Sequence, residues 1–411
     1  MKFDKYAISR TLKQNLKTQG LIRPTDIQYK TIPSILNGED VLAIAQTGTG
    51  KTLAFAVPVI NMVLNLKRTN KKPGIQSIIM VPTRELAVQI QEVFMALCRK
   101  TKVRPFAVFG GVEQDKQIQT LIKGCDILIA TPGRMFDLIS QKVIDVRQVK
   151  ILILDEADQM LDKGFFEDIQ CIKRLLKQRH QTLFFSATIN KHIKKLAYSQ
   201  VKSSAVRIQI SPEDPVSKNV SHYVIFVEME DKRFFLRKFI RENPESKILV
   251  FVRTTVRAER VAKSLARADI NALTIYGKKD QGQRLAILTR FKQGDDKILI
   301  ATDLSARGID IPNVDYVINY DLPEQKEIYV HRVGRTGRGR SKGNAISFCS
   351  SQEKNLLTQI QDFLGKQIEK IVVSRDEYAF MVEVTETSKD IREMILANEA
   401  WEKKKGRRKK R

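Results

Sequence analysis

Cysteine and histidine are scarce in this 411-residue sequence, which has four of each. Cys98, Cys125, Cys171 and Cys349 lie far apart without any Cys-x-x-Cys spacing, and His180, His192, His222 and His331 are equally scattered. That distribution excludes a disulfide framework and argues against a structural zinc site, whose ligands come in close pairs. Reduced packing cysteines suit a cytoplasmic protein, the location expected here. No run of about 18 apolar residues occurs, so no membrane span is expected. The opening residues, with Lys2, Asp4, Lys5 and Arg10, lack the apolar segment of a secretory leader. Acid is also in short supply: 46 Asp and Glu face 72 Lys and Arg, for a net charge of +26. An excess of that size points to a polyanionic partner such as nucleic acid.

What is present is a repeating pattern. Short runs rich in Ile, Val, Leu and Phe recur at residues 41–45, 77–81, 106–109, 126–130, 151–154 and 182–186, with helical stretches between them. Buried strands of a parallel sheet read this way, and the alternation predicts a doubly wound α/β domain over residues 1–210. A polar segment holding Pro212 and Pro215 predicts a linker over 211–221. A second series, at 222–227, 248–252, 273–276, 298–301, 316–319 and 345–348, predicts another α/β domain over 222–373. In the remaining 374–411, Ser388 can cap a helix in which Ile391, Met394, Ile395 and Trp401 recur at helical spacing. A basic tail, Lys403 to Arg411, follows it and is expected to be disordered.

After the first predicted strand comes Ala45-Gln46-Thr47-Gly48-Thr49-Gly50-Lys51-Thr52, a phosphate loop leading into a helix. Its glycines let backbone N–H groups wrap phosphates, Lys51 neutralises β and γ charge, and the Thr52 hydroxyl can reach Mg2+. The predicted strand at 151–154 ends in Asp155-Glu156-Ala157-Asp158. Carboxylates at the carboxyl end of a buried parallel strand lie where such sheets bind ligands. Asp155 can hold Mg2+ and Glu156 can deprotonate the attacking water, so hydrolysis of one nucleoside triphosphate is expected. The second domain's corresponding first turn, Phe251-Val252-Arg253-Thr254, lacks the glycines and lysine of such a loop, but a cationic His331-Arg332-Val333-Gly334-Arg335-Thr336-Gly337-Arg338 segment lies near its end.

Together these residues resemble the DEAD-box ATP-dependent RNA helicases of superfamily 2, over residues 3–373. The other motifs of that resemblance are 20–28, 82–87, Gly110-Gly111, 131–134, 186–188, 250–254, 281–284 and 302–310. The resemblance implies two tandem RecA-like domains with ATP and Mg2+ as cofactors. It assigns Phe3 to stacking on adenine, Gln28 to reading it, Asp310 to the ribose, and Arg335 and Arg338 to arginine fingers reaching the γ-phosphate. Asp158, Ser186, Thr188 and His331 would link the ATP site to RNA. Pro82, Thr83, Arg84, Gly111, Thr131 and Arg134 in the first domain, and Arg253, Thr254, Arg284, Thr302 and Asp303 in the second, would hold single-stranded RNA. Small hydroxyls, glycine amides and arginines suit a reader of phosphates and 2′-OH groups rather than of base edges. The implied partner is RNA, with ribosomal or RNA-decay proteins compatible. The implied activity is ATP-driven local unwinding of short duplexes, or alternatively an ATP-gated RNA clamp. A metabolic phosphate-loop enzyme is disfavoured by the positive charge and by the lack of a substrate domain.

Overall fold

The computed structural model describes residues 1–45, 48–69, 74–188, 191–210, 219–277, 279–303, 314–337, 342–374 and 376–379. Its strands form two parallel sheets. The first contains β1 (Val41–Ile44), β2 (Ser77–Met80), β3 (Pro105–Val108), β4 (Ile127–Ala130), β5 (Ile151–Leu154), β6 (Gln181–Ser186) and β7 (Val206–Gln209), in the order β3-β4-β2-β5-β6-β1-β7. The second contains β8 (Val220–Phe226), β9 (Ile248–Val252), β10 (Leu273–Ile275), β11 (Ile298–Thr302), β12 (Tyr316–Asn319), β13 (Gly343–Cys349) and β14 (Glu369–Lys370), in the order β10-β11-β9-β12-β13-β8-β14. The two orders are the same when seven is added to each strand number, so the expected tandem pair of doubly wound domains is a topological duplication.

Period-two side-chain alternation divides each sheet between two cores. Val41, Ala43, Ile151, Ile153, Leu183 and Phe185 face one core, while Leu42, Ile44, Leu152, Leu154 and Phe184 face the other. In the second sheet Ile248, Val250 and Val252 face one side, and Leu249 and Phe251 the other. Helices cover both faces, as an all-parallel sheet requires. Among the described residues no helix is long and apolar enough to cross a membrane.

Several expectations shift. β7 and β14 are edge strands that the apolar runs did not reveal, because Val206-Arg207-Ile208-Gln209 is largely solvated and Glu369-Lys370 is exposed on both residues. β8 begins at Val220, inside the expected linker, while residues 211–218 lie outside the described residues. At the other end the second domain continues past Val373. The Tyr378 ring packs 5.2 Å from that of Phe235, and its hydroxyl donates to Asp231 at 2.7 Å. The helix expected after Ser388 and the basic tail lie outside the described residues.

The duplication also corrects one alignment. β8, not β9, corresponds to β1, so the counterpart of the phosphate loop is the turn 227–231, and the Arg253-Thr254 turn corresponds to Pro82-Thr83-Arg84. The helices bear this out: α3 (Lys51–Thr69) starts at Lys51 and α10 (Lys232–Glu242) at Lys232. Lys232 is fully buried, donates to the Tyr320 carbonyl at 2.7 Å and pairs with the Glu353 carboxylate. The second domain thus places its own carboxylate beside the lysine that corresponds to Lys51, so that lysine already has an internal counter-anion.

Candidate active site and nucleic-acid interface

The carboxyl ends of β1, β5 and β6 converge on the phosphate loop. Gly50 has φ +94, and a Cβ there would lie 2.4 Å from Gln28 Nε2, so only glycine fits. Lys51 is buried, yet its Nζ has no hydrogen-bond partner among the described residues. A buried ammonium costs several kcal/mol unless an anion meets it. This orphaned cation at a helix start is what a phosphate would satisfy.

Beside it the DEAD turn is fully packed. Burial pushes the Asp155 carboxyl up to about 7; the Lys51 charge opposes the rise and the Glu156 charge adds to it. Asp155 Oδ1 accepts the Glu156 N–H at 3.0 Å. Glu156 occupies the left-handed region, φ 51 and ψ 49, and Gln159 Nε2 donates to its Oε2. A non-glycine residue in that region costs of order 1–3 kcal/mol, a strain typical of functional positions. The conformation holds the Glu156 carboxylate, 6% exposed, at the start of α7 (Ala157–Asp162) instead of letting it swing into solvent.

The second domain closes the site. Arg335 is 3% exposed, and its Nε donates to the His331 carbonyl at 3.2 Å. Burial lowers its pKa, and the negative charge of Glu156 in the first domain offsets that loss. The Arg335 guanidinium of one domain therefore lies within electrostatic reach of the Glu156 carboxylate of the other.

Asp158 anchors the turn after β6. Its Oδ2 accepts the Ala187 N–H at 3.2 Å, the Thr188 N–H at 3.0 Å and the Thr188 hydroxyl at 3.1 Å. Ser186, expected to share this bond, instead donates to the Thr188 carbonyl at 2.8 Å, tightening the same turn from within.

The two residues expected at adenine make contacts within the protein. Gln28 is 2% exposed and already engaged: Oε1 accepts the Thr25 N–H and Nε2 donates to the Gly50 carbonyl, each at 3.0 Å. Its amide closes the phosphate loop. Phe3 is 3% exposed and packs near Tyr6 in the core, so its ring keeps little face for a base. Gln46, Thr47, Asp310 and Arg338 lie outside the described residues.

The expected RNA residues also sit at strand ends, many of them as caps and clasps. Thr83 caps α4 (Arg84–Leu97) by accepting the Leu86 N–H, and Thr254 caps α11 (Thr255–Ala266) by accepting the Arg257 N–H. Thr131 precedes α6 (Pro132–Ser140), and buried Pro82 offers its carbonyl to Lys163. The Arg84 guanidinium lies over Gly111, where φ is +74 and a Cβ would come within 1.9 Å of Nη1. Arg134 reaches Gln117 Oε1 at 3.2 Å, and the Arg253 N–H is fixed by Asp321 Oδ2 at 2.9 Å. Thr302 is buried at the end of β11. Next to it Asp303 forms a two-pronged pair with Arg332, at 2.5 and 2.8 Å, so its carboxylate is turned inward.

Arg284, expected on RNA, instead pairs with Glu85 of the first domain at 2.7 Å, with side chains only 11% and 6% exposed. This ion pair clasps the domains together. Breaking a buried pair from one side is strongly destabilising, by about 3–5 kcal/mol, whereas removing both partners costs less. Glu85→Gln is thus expected to raise the RNA concentration needed for half-maximal ATPase, and the Glu85→Gln/Arg284→Met double variant should recover part of the loss. Coupling of about 1–3 kcal/mol in a double-mutant cycle checks it, while additive effects would remove the clasp.

Sequence reading missed Glu85, Gln159, Lys232, Glu353 and Arg332. Glu85 lies inside the 82–87 motif and Gln159 directly follows the DEAD turn, and the helical spacing of Glu156 and Gln159 was a usable signal. The partners of the others lie far along the chain.

Two family models match: DEAD/DEAH box helicase over residues 25–196, and helicase conserved C-terminal domain over residues 231–340. The ATP-dependent RNA helicase CshA of Limosilactobacillus reuteri is 37% identical over 395 residues, covering 96% of this chain and 78% of that protein. The ATP-dependent RNA helicase DbpA of Bacillus subtilis is 37% identical over 376 residues, covering 91% and 77%. Among solved structures, S. cerevisiae Dbp5 bound to RNA and ADP BeF3 superposes with a TM-score of 0.82 at 29% identity, covering 95% of this chain and 99% of that one. The DEAD-box helicase Mss116 bound to ssRNA and UDP-BeF gives 0.84 at 27% identity, covering 93% and 81%.

Proposed function

Because the chain belongs to the DEAD-box family of ATP-dependent RNA helicases, we propose that it couples RNA-stimulated ATP hydrolysis to local, non-processive separation of short RNA duplexes. The observation that carries the coupling is the divided site: the base Glu156 stands in one domain and the finger Arg335, buried against it, in the other. Such a site is complete only when the domains meet. A ligand that touches both halves shifts the population toward closure by its differential affinity for the closed state.

Within the closed site, Lys51 neutralises the terminal phosphates and the positive-φ loop turns its amides toward them. Glu156 takes the proton of the attacking water at its carboxylate, and the Arg335 guanidinium balances the charge that builds on the transferring phosphoryl group. Thr52 and Asp155 would hold Mg2+. Among the described residues no cluster of three His, Cys, Asp or Glu side chains could hold a metal alone, so the ion's other ligands would be phosphate and water oxygens. Bound there, it would neutralise developing phosphate charge. Its positive charge would also oppose the burial that raises the Asp155 carboxyl.

The Asp158 to Thr188 bonds supply a rigid link from this site to the turns that carry the RNA contacts. Those turns offer hydroxyls, glycine amides and arginines, which supports reading of the RNA backbone without sequence preference. The alternative, an ATP-gated clamp, uses the same residues; intact Glu156 and Arg335 favour a cycling enzyme.

The test is ATPase with and without single-stranded RNA, paired with strand displacement on a short duplex. RNA is expected to raise the rate at least tenfold, and displacement should outpace dissociation of the RNA complex. RNA-indifferent ATPase would overturn the helicase reading. Stimulated ATPase with a long-lived complex and no displacement would establish the clamp.

A further inference from the structure

Helix α10 carries Arg233, Arg237 and Arg241 at i, i+4 and i+8. Residues at this spacing share one face and are about 6 Å apart along the axis. Neither Arg233 nor Arg237 has an ion-pair partner among the described residues, and the Nε of each is buried without a hydrogen bond. Among the described residues, the Arg241 guanidinium donates to a backbone carbonyl, that of Ala268 at 3.3 Å, and pairs with no carboxylate. The Arg233 and Arg237 guanidiniums lie 4.6 and 5.3 Å from the Phe234 ring, which fixes both heads in one row. Burial lowers the Arg237 pKa, and repulsion from Arg233 and Arg241 lowers it further. Like charges at i and i+4 destabilise a helix by a few tenths of a kcal/mol per pair. An anion lying along the row would reverse the sign of that term.

The row is continuous with the RNA-facing turn of the second domain. The Arg253 N–H is held by Asp321, whose other oxygen pairs with Arg257 at 3.1 Å. The Arg257 guanidinium stands 5.8 Å over the Tyr320 ring, and Tyr320 interacts electrostatically with Arg233 and Arg237. Arg253 and Arg257 thus continue the row of basic residues from that turn to α10, although each has carboxylates beside it: Glu324 at 3.7 Å and Glu353 at 3.6 Å for Arg253, and Asp321 for Arg257.

We propose that the Arg233, Arg237 and Arg241 face of α10 is an accessory RNA-binding track that holds the phosphates of strand lying beyond the core site. Arginine forks match phosphate oxygens in pairs, and an RNA already seated at Arg253 is present at high local concentration. The track rests on the helicase reading above and extends it to the length of RNA engaged. An acidic protein segment is the competing occupant.

The experiment uses the full-length protein, a nonhydrolysable ATP analogue and two single-stranded homopolymer RNAs. One is just long enough to saturate the ATPase and the other is twice that length. With Arg233→Gln/Arg237→Gln/Arg241→Gln, three phosphate contacts are lost on the long RNA. The plot of log affinity against log salt should become shallower by about 2, at roughly 0.7 per phosphate of a single strand. Binding of the short RNA and the ATPase rate at saturating RNA should match the parent. The corresponding triple Lys variant keeps the charge and should keep the slope. An unchanged slope on long RNA would leave the face to an acidic protein and overturn the track. An equal loss on the short RNA, or a Lys variant as weak as the Gln variant, would also overturn it, by tracing the effect to the core or to packing on Phe234. A parent protein whose ATPase ignores RNA would instead sink the helicase reading itself.

Discussion

Glu156→Gln is expected to stop ATP turnover while leaving ATP-dependent RNA binding intact. The substitution keeps the size of the side chain and its ability to accept the Gln159 hydrogen bond, but removes the group that can take a proton. A positioned general base contributes about 10² to 10⁴ in rate, so a loss in that range is predicted. The backbone strengthens the expectation, because Glu156 is held in the left-handed region with its N–H bound to Asp155. Asp155, whose carboxyl burial pushes up to about 7 and whose Oδ1 already accepts the Glu156 N–H, is a poor substitute. Single-turnover hydrolysis measured beside RNA anisotropy with ATP checks both halves. Hydrolysis at the parental rate would show that the base lies elsewhere.

Arg335→Ala should cost more, about 10³ to 10⁵ in the RNA-saturated rate, the span associated with an arginine finger. Its guanidinium is 3% exposed and faces Glu156 across the domain boundary. Removing it leaves the growing negative charge of the transferred group without its counterpart from the second domain. RNA binding without nucleotide should stay near parental, since Arg335 belongs to the nucleotide side of the cleft. Arg335→Lys should recover little, because an ammonium cannot reproduce the planar fork. A thermal melt accompanies both variants, because a buried arginine also packs. A loss under tenfold in a folded Arg335→Ala protein would take the finger role from this residue.

The two α/β domains were legible because a buried parallel strand must be apolar on both faces, and that pattern survives in the linear text. The edge strands β7 and β14 were not legible, since one side of each meets water and permits polar residues. The phosphate loop, the DEAD turn and the segment from Ser186 to Thr188 could be read as sites because each is a local arrangement whose chemistry depends on neighbouring residues. Gln28 was assigned to adenine by the resemblance, but its amide could not be known to close the phosphate loop on Gly50, 22 residues away.

Residue order alone therefore determined the fold class, the family and the positions of the phosphate loop and the DEAD turn. The tertiary structure decided which charges meet. Only folding brings Arg284 to Glu85, Arg332 to Asp303 and Lys232 to Glu353, and each pairing turns a residue that could have met an external anion into an internal clasp. Among the described residues, Arg233 and Arg237 have no such carboxylate. Pairing of charges depends on distance in space and on local burial, to which spacing along the chain is no guide once it exceeds a few helical turns.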